Sequence, residues 1–329
     1  MPEISPDKIL QVATGFMAAK HLFVASDVGI FERLADNPST IQELAENTGL
    51  SQSSTRILAD AMVVLGFLEK QDGVYRNSAE AASFLAGRTP ADLRPALRLF
   101  DRVAYPNWSN LEKAIRSKQS SHFGELSEEQ QKVFSQGVEA LTAGAANALA
   151  SAYEFERHMR VLDIGGGTGS FLLPLVRRHA HLKECALFEL PDTARVAKAR
   201  LAIDDLGNKV KVIEGDFMKG QIPAGYDVLI LANVVHILSP DHNVDLMSKI
   251  RKSCKTGDRL LLVDFWTDST HTKPAIAALF AGEFLVMSGE GDVYSVDDAK
   301  KWFAKTGWKF VDYKQLAGPQ SLVVAEATA

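Results

Sequence analysis

Val161-Leu162-Asp163-Ile164-Gly165-Gly166-Gly167-Thr168-Gly169-Ser170 reads as a buried strand that runs into a glycine turn and opens a helix. Glycines at such a turn let the backbone bend tightly and lie against a ligand, while helix N-terminal amides stay free to bind it. Gly165, Gly167 and Gly169 follow a GxGxG spacing; the dinucleotide fingerprint GxGxxG would need a glycine where Ser170 stands. Asp163, just ahead of the first glycine, suits a cationic amino group better than a pyrophosphate.

Around this stretch the pattern alternates. Short apolar runs at Arg160–Ile164, Cys185–Leu190, Val210–Glu214, Tyr226–Leu231 and Arg259–Phe265 are separated by helical stretches. Such βαβ alternation predicts an open, mostly parallel sheet covered by helices over residues 156–329. The chain then reads Trp308–Gln315, a Gly318-Pro319 turn and Ser321–Glu326, an antiparallel hairpin added to that sheet. Residues 91–155 are helical in pattern, with an aromatic-bearing loop at Tyr105-Pro106-Asn107-Trp108, and form a helical linker expected to contribute to a substrate pocket. Residues 1–90 differ again. Leu22, Val24, Ala25, Val28, Ile30, Phe31 and Leu34 imply one helix that stops at Asp36-Asn37-Pro38. Thr40 with Glu43 predicts a capping-box start for a helix over Ile41–Asn47 that Gly49 ends. Ser51 or Ser53 caps the next, whose apolar stripe of Ile57, Leu58, Ala61, Met62, Val64 and Leu65 ends at Gly66. Phe67–Lys70, a Gln71-Asp72-Gly73 turn and Val74–Arg76 complete a hairpin. Helix, helix, helix, hairpin is the order of a winged helix.

The strand ends carry acids. Glu189 stands about 20 residues after the glycine loop, where a ribose diol is bound in such sheets. Asp216 ends the third run and can accept from an adenine amino group, with Phe217 or Met218 against the ring. S-adenosylmethionine has an amino group, a ribose diol and an adenine to satisfy Asp163, Glu189 and Asp216, along the edge where open α/β sheets bind ligands.

At these residues the chain resembles the dimeric S-adenosylmethionine-dependent small-molecule O-methyltransferases, of the caffeate O-methyltransferase and hydroxyneurosporene methyltransferase type. The resemblance runs through the winged-helix front, the helical linker, Val161–Ser170, Phe188-Glu189-Leu190-Pro191, Gly215-Asp216-Phe217 and Asn233-Val234-Val235-His236. It implies a Rossmann-like methyltransferase domain behind a winged-helix dimerisation domain, a homodimer formed through that first domain, and secondary metabolism as the setting. It implies cofactor contacts from the glycine loop, Glu189, Asp216, Phe217, Asn233 and Thr142. It also makes His236 the general base, in a stretch His236-Ile237-Leu238-Ser239-Pro240-Asp241 that keeps only the histidine and serine of the family's His-Asp-Trp-Ser-Asp-Glu. An imidazole with an ordinary pKa of about 6.5 is suited to take a hydroxyl proton near neutral pH. Asp264 falls where the family has a glutamate that orients the base, and an acid there can fix the imidazole tautomer. The family's second supporting glutamate aligns with Val293, with Glu290 and Asp292 nearby. Phe280, Phe284, Leu285 and Met287 form a helical stripe of the kind that is most often core; the resemblance makes this helix a pocket wall, so Phe284 and Met287 are substrate-binding candidates, and Trp108 and Trp266 are weaker ones.

Composition narrows the alternatives. The 329 residues hold 36 Lys and Arg against 41 Asp and Glu, a net charge of −5, so no global positive field draws nucleic acid or anionic lipid. Arg56 is the only base of the recognition-helix equivalent, Ser51–Leu65, which also carries Asp60; a DNA-binding regulator that senses a metabolite is the weaker assignment. Cys185 and Cys254 stand alone, which excludes a disulfide scaffold and a structural zinc finger. His242 and His271 with Asp264 would be needed for a metal site, and none is expected; His21, His122, His158, His179 and His181 have no suggestive neighbours. The polar opening MPEISPDK and the lack of any apolar run near 18 to 20 residues predict a soluble, cytoplasmic protein without a membrane partner. C-methylation of an acidic carbon, with or without a metal, is the competing chemistry.

Overall fold

The computed structural model describes residues 4–117 and 126–329, so His122 lies outside the described residues. The chain divides into two compact units, Met1–Pro106 with Glu128–Leu141, and Asn107–Ser127 with Thr142–Ala329. The helical stretch 91–155 is thereby shared between them.

The first unit begins with α1 (Asp7–Ala13) and α2 (Gly15–Asp27), followed by α3 (Ile30–Arg33). The helix expected through Leu34 is broken at Gly29, whose φ of +83° ends one helix and starts the next. β1 (Ser39–Thr40) leads into α4 (Ile41–Thr48), where Thr40 and Glu43 form the expected capping box and Gly49, at φ +72°, terminates it. Ser51 caps α5 (Gln52–Val64) by accepting from the Ser54 amide. β2 (Leu68–Gln71) and β3 (Val74–Asn77) form the hairpin, turned by Asp72 and Gly73, both at positive φ as a two-residue turn demands. The sheet order is β1-β3-β2, and Ile30, Phe31, Leu44, Met62, Leu68 and Tyr75 pack as its core. The expected α5 stripe splits: Met62 is buried, with Ala59 from outside the stripe beside it, while Ile57 and Val64, seven residues apart on the outer face, are 51% and 86% exposed. α6 (Ala79–Phe84) and α7 (Arg94–Leu99) follow. Residues 105–108, expected as a loop, are helical instead: a π-helical turn over Phe100–Ala104 continues into α8 (Tyr105–Asn107) and a 3-10 turn at Trp108–Asn110. α9 (Leu111–Ser117) and the long α10 (Glu128–Ala152) complete the helical stretch.

The second unit is built on β4 (Arg160–Ile164), α11 (Leu172–Arg178), β5 (Glu184–Glu189), α12 (Pro191–Ala202), β6 (Val210–Glu214), β7 (Val228–Ala232), α13 (Pro240–Ser253), β8 (Arg259–Phe265), α14 (Ala275–Ser288), α15 (Val296–Thr306), β9 (Trp308–Gln315) and β10 (Gln320–Ala327). The sheet runs β6-β5-β4-β7-β8-β10-β9, parallel from β6 to β8 and antiparallel through the terminal hairpin. Its central strands are buried on both faces, which is why they read as continuous apolar runs. Leu162, Ile164, Leu229, Leu231, Leu260 and Leu262 fill one side, and Val161, Val228, Ile230, Leu261 and Val263 the other. β7 starts two residues later than expected because Tyr226 turns into the first of these cores and donates its hydroxyl to Glu184 at 2.8 Å. Strand order reverses between β4 and β7, and ligands bind at the carboxyl ends of strands at such a switch point. Among the described residues no single helix is long and apolar enough to cross a membrane.

Candidate active site

At the end of β4 the glycine turn takes the shape its residues allow and few others would. Gly165, Gly167 and Gly169 have φ of +69°, +57° and +85°. The Gly165 amide donates to the Phe188 carbonyl at 2.8 Å, which ties the turn to β5. A Cβ on Gly165 would lie 3.0 Å from Val234 and 3.1 Å from Phe217, so both side chains close on the turn. Gly166, which the GxGxG spacing passes over, is needed as well: its Cβ would sit 2.3 Å from Asp163 Oδ2. The tripled glycine was the only sign of this in the sequence.

Asp163 is wholly buried, and among the described residues neither carboxylate oxygen has a hydrogen-bond partner. Burial, and secondarily the charge of Glu189, pushes its carboxyl up to about 8. Glu189 at the end of β5 accepts from the Gly167 amide at 3.1 Å and the Leu190 amide at 2.8 Å, while burial raises its own pKa. Asp216, past β6, accepts from the Met218 and Lys219 amides at 2.8 and 3.2 Å and so shapes the turn that carries Phe217. Asn233, past β7, has φ +58°; its amide donates to the Val263 carbonyl at 2.9 Å and its Oδ1 accepts from Gln320 Nε2. Thr142 lies buried on α10. A buried carboxylate with both oxygens unmet, a second acid and an aromatic ring beside glycine amides fit a ligand with a cationic amine, a diol and a flat base.

Beside this edge, a 3-10 turn at Val235–Ile237 carries His236 against the end of β8. His236 Nδ1 meets Asp264 Oδ1 at 2.6 Å, and the His236 amide donates to Oδ2 at 3.3 Å. The Phe265 amide also donates to Oδ1, at 2.8 Å. Asp264 is 1% exposed and His236 6%. An ionised carboxylate only accepts, so Nδ1 carries the proton and Nε2 is left with the lone pair. The ring stacks on Phe284 at 3.6 Å between centroids, with Phe265 edge-on at 6.0 Å and Phe280 stacked on Phe265 at 4.7 Å. Phe284, Phe280, Phe265 and Met287 form one cluster with Val293 and Ala277. Phe265 was not singled out from the sequence, since it reads as one more residue of a buried strand.

The remaining candidates separate. Trp266 is 2% exposed within the large core that includes Leu238, Tyr294 and Trp302, outside the cluster around His236, so it packs the core rather than that wall. Trp108 is 38% exposed and donates its indole N–H to Glu283 of α14. Glu290 pairs with His242 at 2.8 Å and holds that imidazole above its usual pKa, so it is committed away from His236. The Asp292 amide instead donates to the His236 carbonyl at 3.0 Å. His271 lies 3.4 Å from Asp298, and among the described residues no three His, Cys, Asp or Glu side chains converge as a metal site. His21, His179 and His181 bond to carbonyls of Met17, Ala150 and Phe155, and His158 to the Tyr153 hydroxyl.

The chain is similar to known proteins over nearly its whole length. Residues 109–309 match the O-methyltransferase domain family, and residues 10–87 match the O-methyltransferase dimerisation domain. Over 97% of its length the chain is 27% identical to the tetracenomycin polyketide synthesis 8-O-methyl transferase TcmO of Streptomyces glaucescens, of which it covers 96%. It is 26% identical over 95% of its length to the S-adenosyl-L-methionine-dependent methyl transferase PigF of a Serratia species, covering 94% of it. Its fold superimposes on human N-acetylserotonin methyltransferase, solved in complex with SAM, with a TM-score of 0.89 at 23% identity, covering 100% of this chain and 99% of that one. The chain therefore belongs to the O-methyltransferase family, with the family's dimerisation domain ahead of its methyltransferase domain.

Proposed function

We propose that this O-methyltransferase carries a methyl group from S-adenosylmethionine to a hydroxyl of a small, flat aromatic or polyketide-like metabolite, with His236 as general base and Asp264 as the residue that positions it. The single observation that carries this is the buried His236–Asp264 contact at 2.6 Å beneath an aromatic wall. Bound S-adenosylmethionine supplies an electrophilic methyl on a sulfonium. Asp163, Glu189 and Asp216, with the amides of the glycine turn and the Phe217 ring, are the residues to hold it. Asp264 fixes the tautomer that leaves His236 Nε2 free, and it stabilises the imidazolium formed when Nε2 takes the hydroxyl proton. Phe265, Phe280, Phe284 and Met287 offer apolar surface to a planar ring and exclude water from the base. The relative TcmO is named for a polyketide pathway, which supports the substrate class.

The dimerisation domain is assigned to a homodimer, and residues 91–155 to a helical linker that adds Thr142 and Trp108 to the site. We also assign the enzyme to the cytoplasm, because Cys185 and Cys254 are both unpaired.

The test is His236→Ala, assayed for methyl transfer to a panel of naphthols and for S-adenosylhomocysteine binding by calorimetry. Positioned general bases contribute about 10²- to 10⁴-fold. A loss of that size with unchanged affinity is expected, and Asp264→Asn should lose less. Unchanged turnover would remove His236 from its role, and absence of S-adenosylhomocysteine binding to the wild type would overturn the cofactor.

A further inference from the structure

The wall beneath His236 is not apolar throughout. On α14, Phe280, Phe284 and Met287 recur at helical spacing and pack in the cluster around the imidazole. Glu283 lies three residues from Phe280 and four from Met287, so it leaves the helix beside them. Its Oε2 accepts from Trp108 Nε1, and Oε1 has no partner among the described residues. No Lys or Arg pairs with it there, and burial raises its pKa. Gly282 allows the contact: a Cβ there would stand 3.1 Å from the Trp108 ring and 3.7 Å from Leu111. A half-buried carboxylate without a counter-charge is costly unless something donates to it, and the partly exposed indole leaves room for a ligand to do so.

We infer that Glu283, oriented by the Trp108 indole, is a specificity-determining residue that accepts a hydrogen bond from a second donor on the substrate, an amine, N–H or hydroxyl other than the hydroxyl that is methylated. This rests on the assignment of the α14 face as the substrate wall. A site built to accept such a bond rejects the analogue that lacks it far more strongly than an apolar pocket rejects a misfit.

The experiment compares 2-naphthols carrying either an amino or a methoxy group at ring position 5, 6 or 7, with wild type, Glu283→Gln and Trp108→Phe. In the wild type, kcat/KM favours the amino member of at least one pair by tenfold or more. Glu283→Gln keeps an acceptor for the indole but turns the free oxygen into an amide, so it should erase that preference through KM, leaving kcat for the methoxy member and S-adenosylhomocysteine affinity unchanged. Trp108→Phe should weaken the preference without abolishing it. An equal loss on both members would make the pair merely structural, and a preference that survives Glu283→Gln would overturn the inference. Turnover of no naphthol by a wild type that binds S-adenosylhomocysteine would overturn the flat-aromatic substrate class, and this inference with it.

Discussion

Asp163 is a carboxyl that folding strips of water without giving it a partner, and its proton is the consequence. Unfolded, it ionises at the ordinary 3.8; folded without ligand it holds the proton to about 8. Between those values the folded state binds the extra proton, so stability falls as pH rises from about 4 and the loss levels off above about 8. Asp163→Asn removes that linkage. The unliganded variant should therefore gain on the wild type with pH, by at most about 4 kcal/mol between pH 5 and pH 8, read from denaturant unfolding at the two pH values. A constant difference would mean Asp163 is ionised in the fold. The same proton must leave when a cationic amine arrives. Calorimetry with S-adenosylhomocysteine at pH 7, in buffers of different ionisation enthalpy, should show close to one proton released by the wild type and none by the variant.

At the scale of elements, His236 is positioned by backbone as much as by Asp264. The segment between α14 and α15 lies against it, and Gly291 is the point of closest approach: a Cβ there would fall 2.5 Å from the His236 carbonyl, 2.8 Å from that of Phe284 and 2.8 Å from Ser288 Oγ. Two of these neighbours are backbone, which cannot swing away. Gly291→Ala should destabilise the fold by about 1 to 3 kcal/mol and lower kcat at least tenfold, with S-adenosylhomocysteine affinity unchanged because the glycine turn lies elsewhere. Thermal unfolding and steady-state kinetics check both; wild-type kcat would mean the 3-10 turn adjusts freely. Such contacts explain what the sequence could disclose. β4, β6, β8 and β9 begin and end where the expected runs do: β4 and β8 are parallel strands buried on both faces and read as nearly continuous apolar runs, whereas β9 is antiparallel and alternates buried with exposed residues. β1 had no signal, since its two residues are a strand only by pairing with Tyr75 and Val74. The acids at strand ends, and His236 beside Asp264, were legible because topology alone brings strand ends together. The Trp108–Glu283 contact spans 175 residues and the His242–Glu290 contact 48, and no local pattern encodes either.

For the whole molecule the decisive feature is apolar surface left on the first unit. Ile9, Leu10 and Val12 of α1 are 71%, 56% and 75% exposed, and Phe16 and Met17 of α2 are 53% and 50% exposed. Soluble monomers rarely carry contiguous patches of this kind, and helices that are apolar outward bury that face against a partner. The family's dimerisation domain begins at residue 10, within α1. A second copy is the occupant this predicts, and in a two-fold dimer each substitution appears twice across the interface. None of these side chains belongs to the core of Ile30, Phe31, Leu44, Met62 and Tyr75, so charges placed on them should leave the unit folded. Burying one such side chain contributes about 1.5 to 3 kcal/mol, and a carboxylate in its place adds a desolvation cost. Val12→Asp with Phe16→Asp should therefore weaken association by roughly 10³-fold or more. Sedimentation velocity should show the wild type at twice 35.9 kDa and the double variant at 35.9 kDa, with the same far-ultraviolet circular dichroism. A wild type that sediments as a monomer, or a double variant that stays dimeric, would move the interface away from α1 and α2.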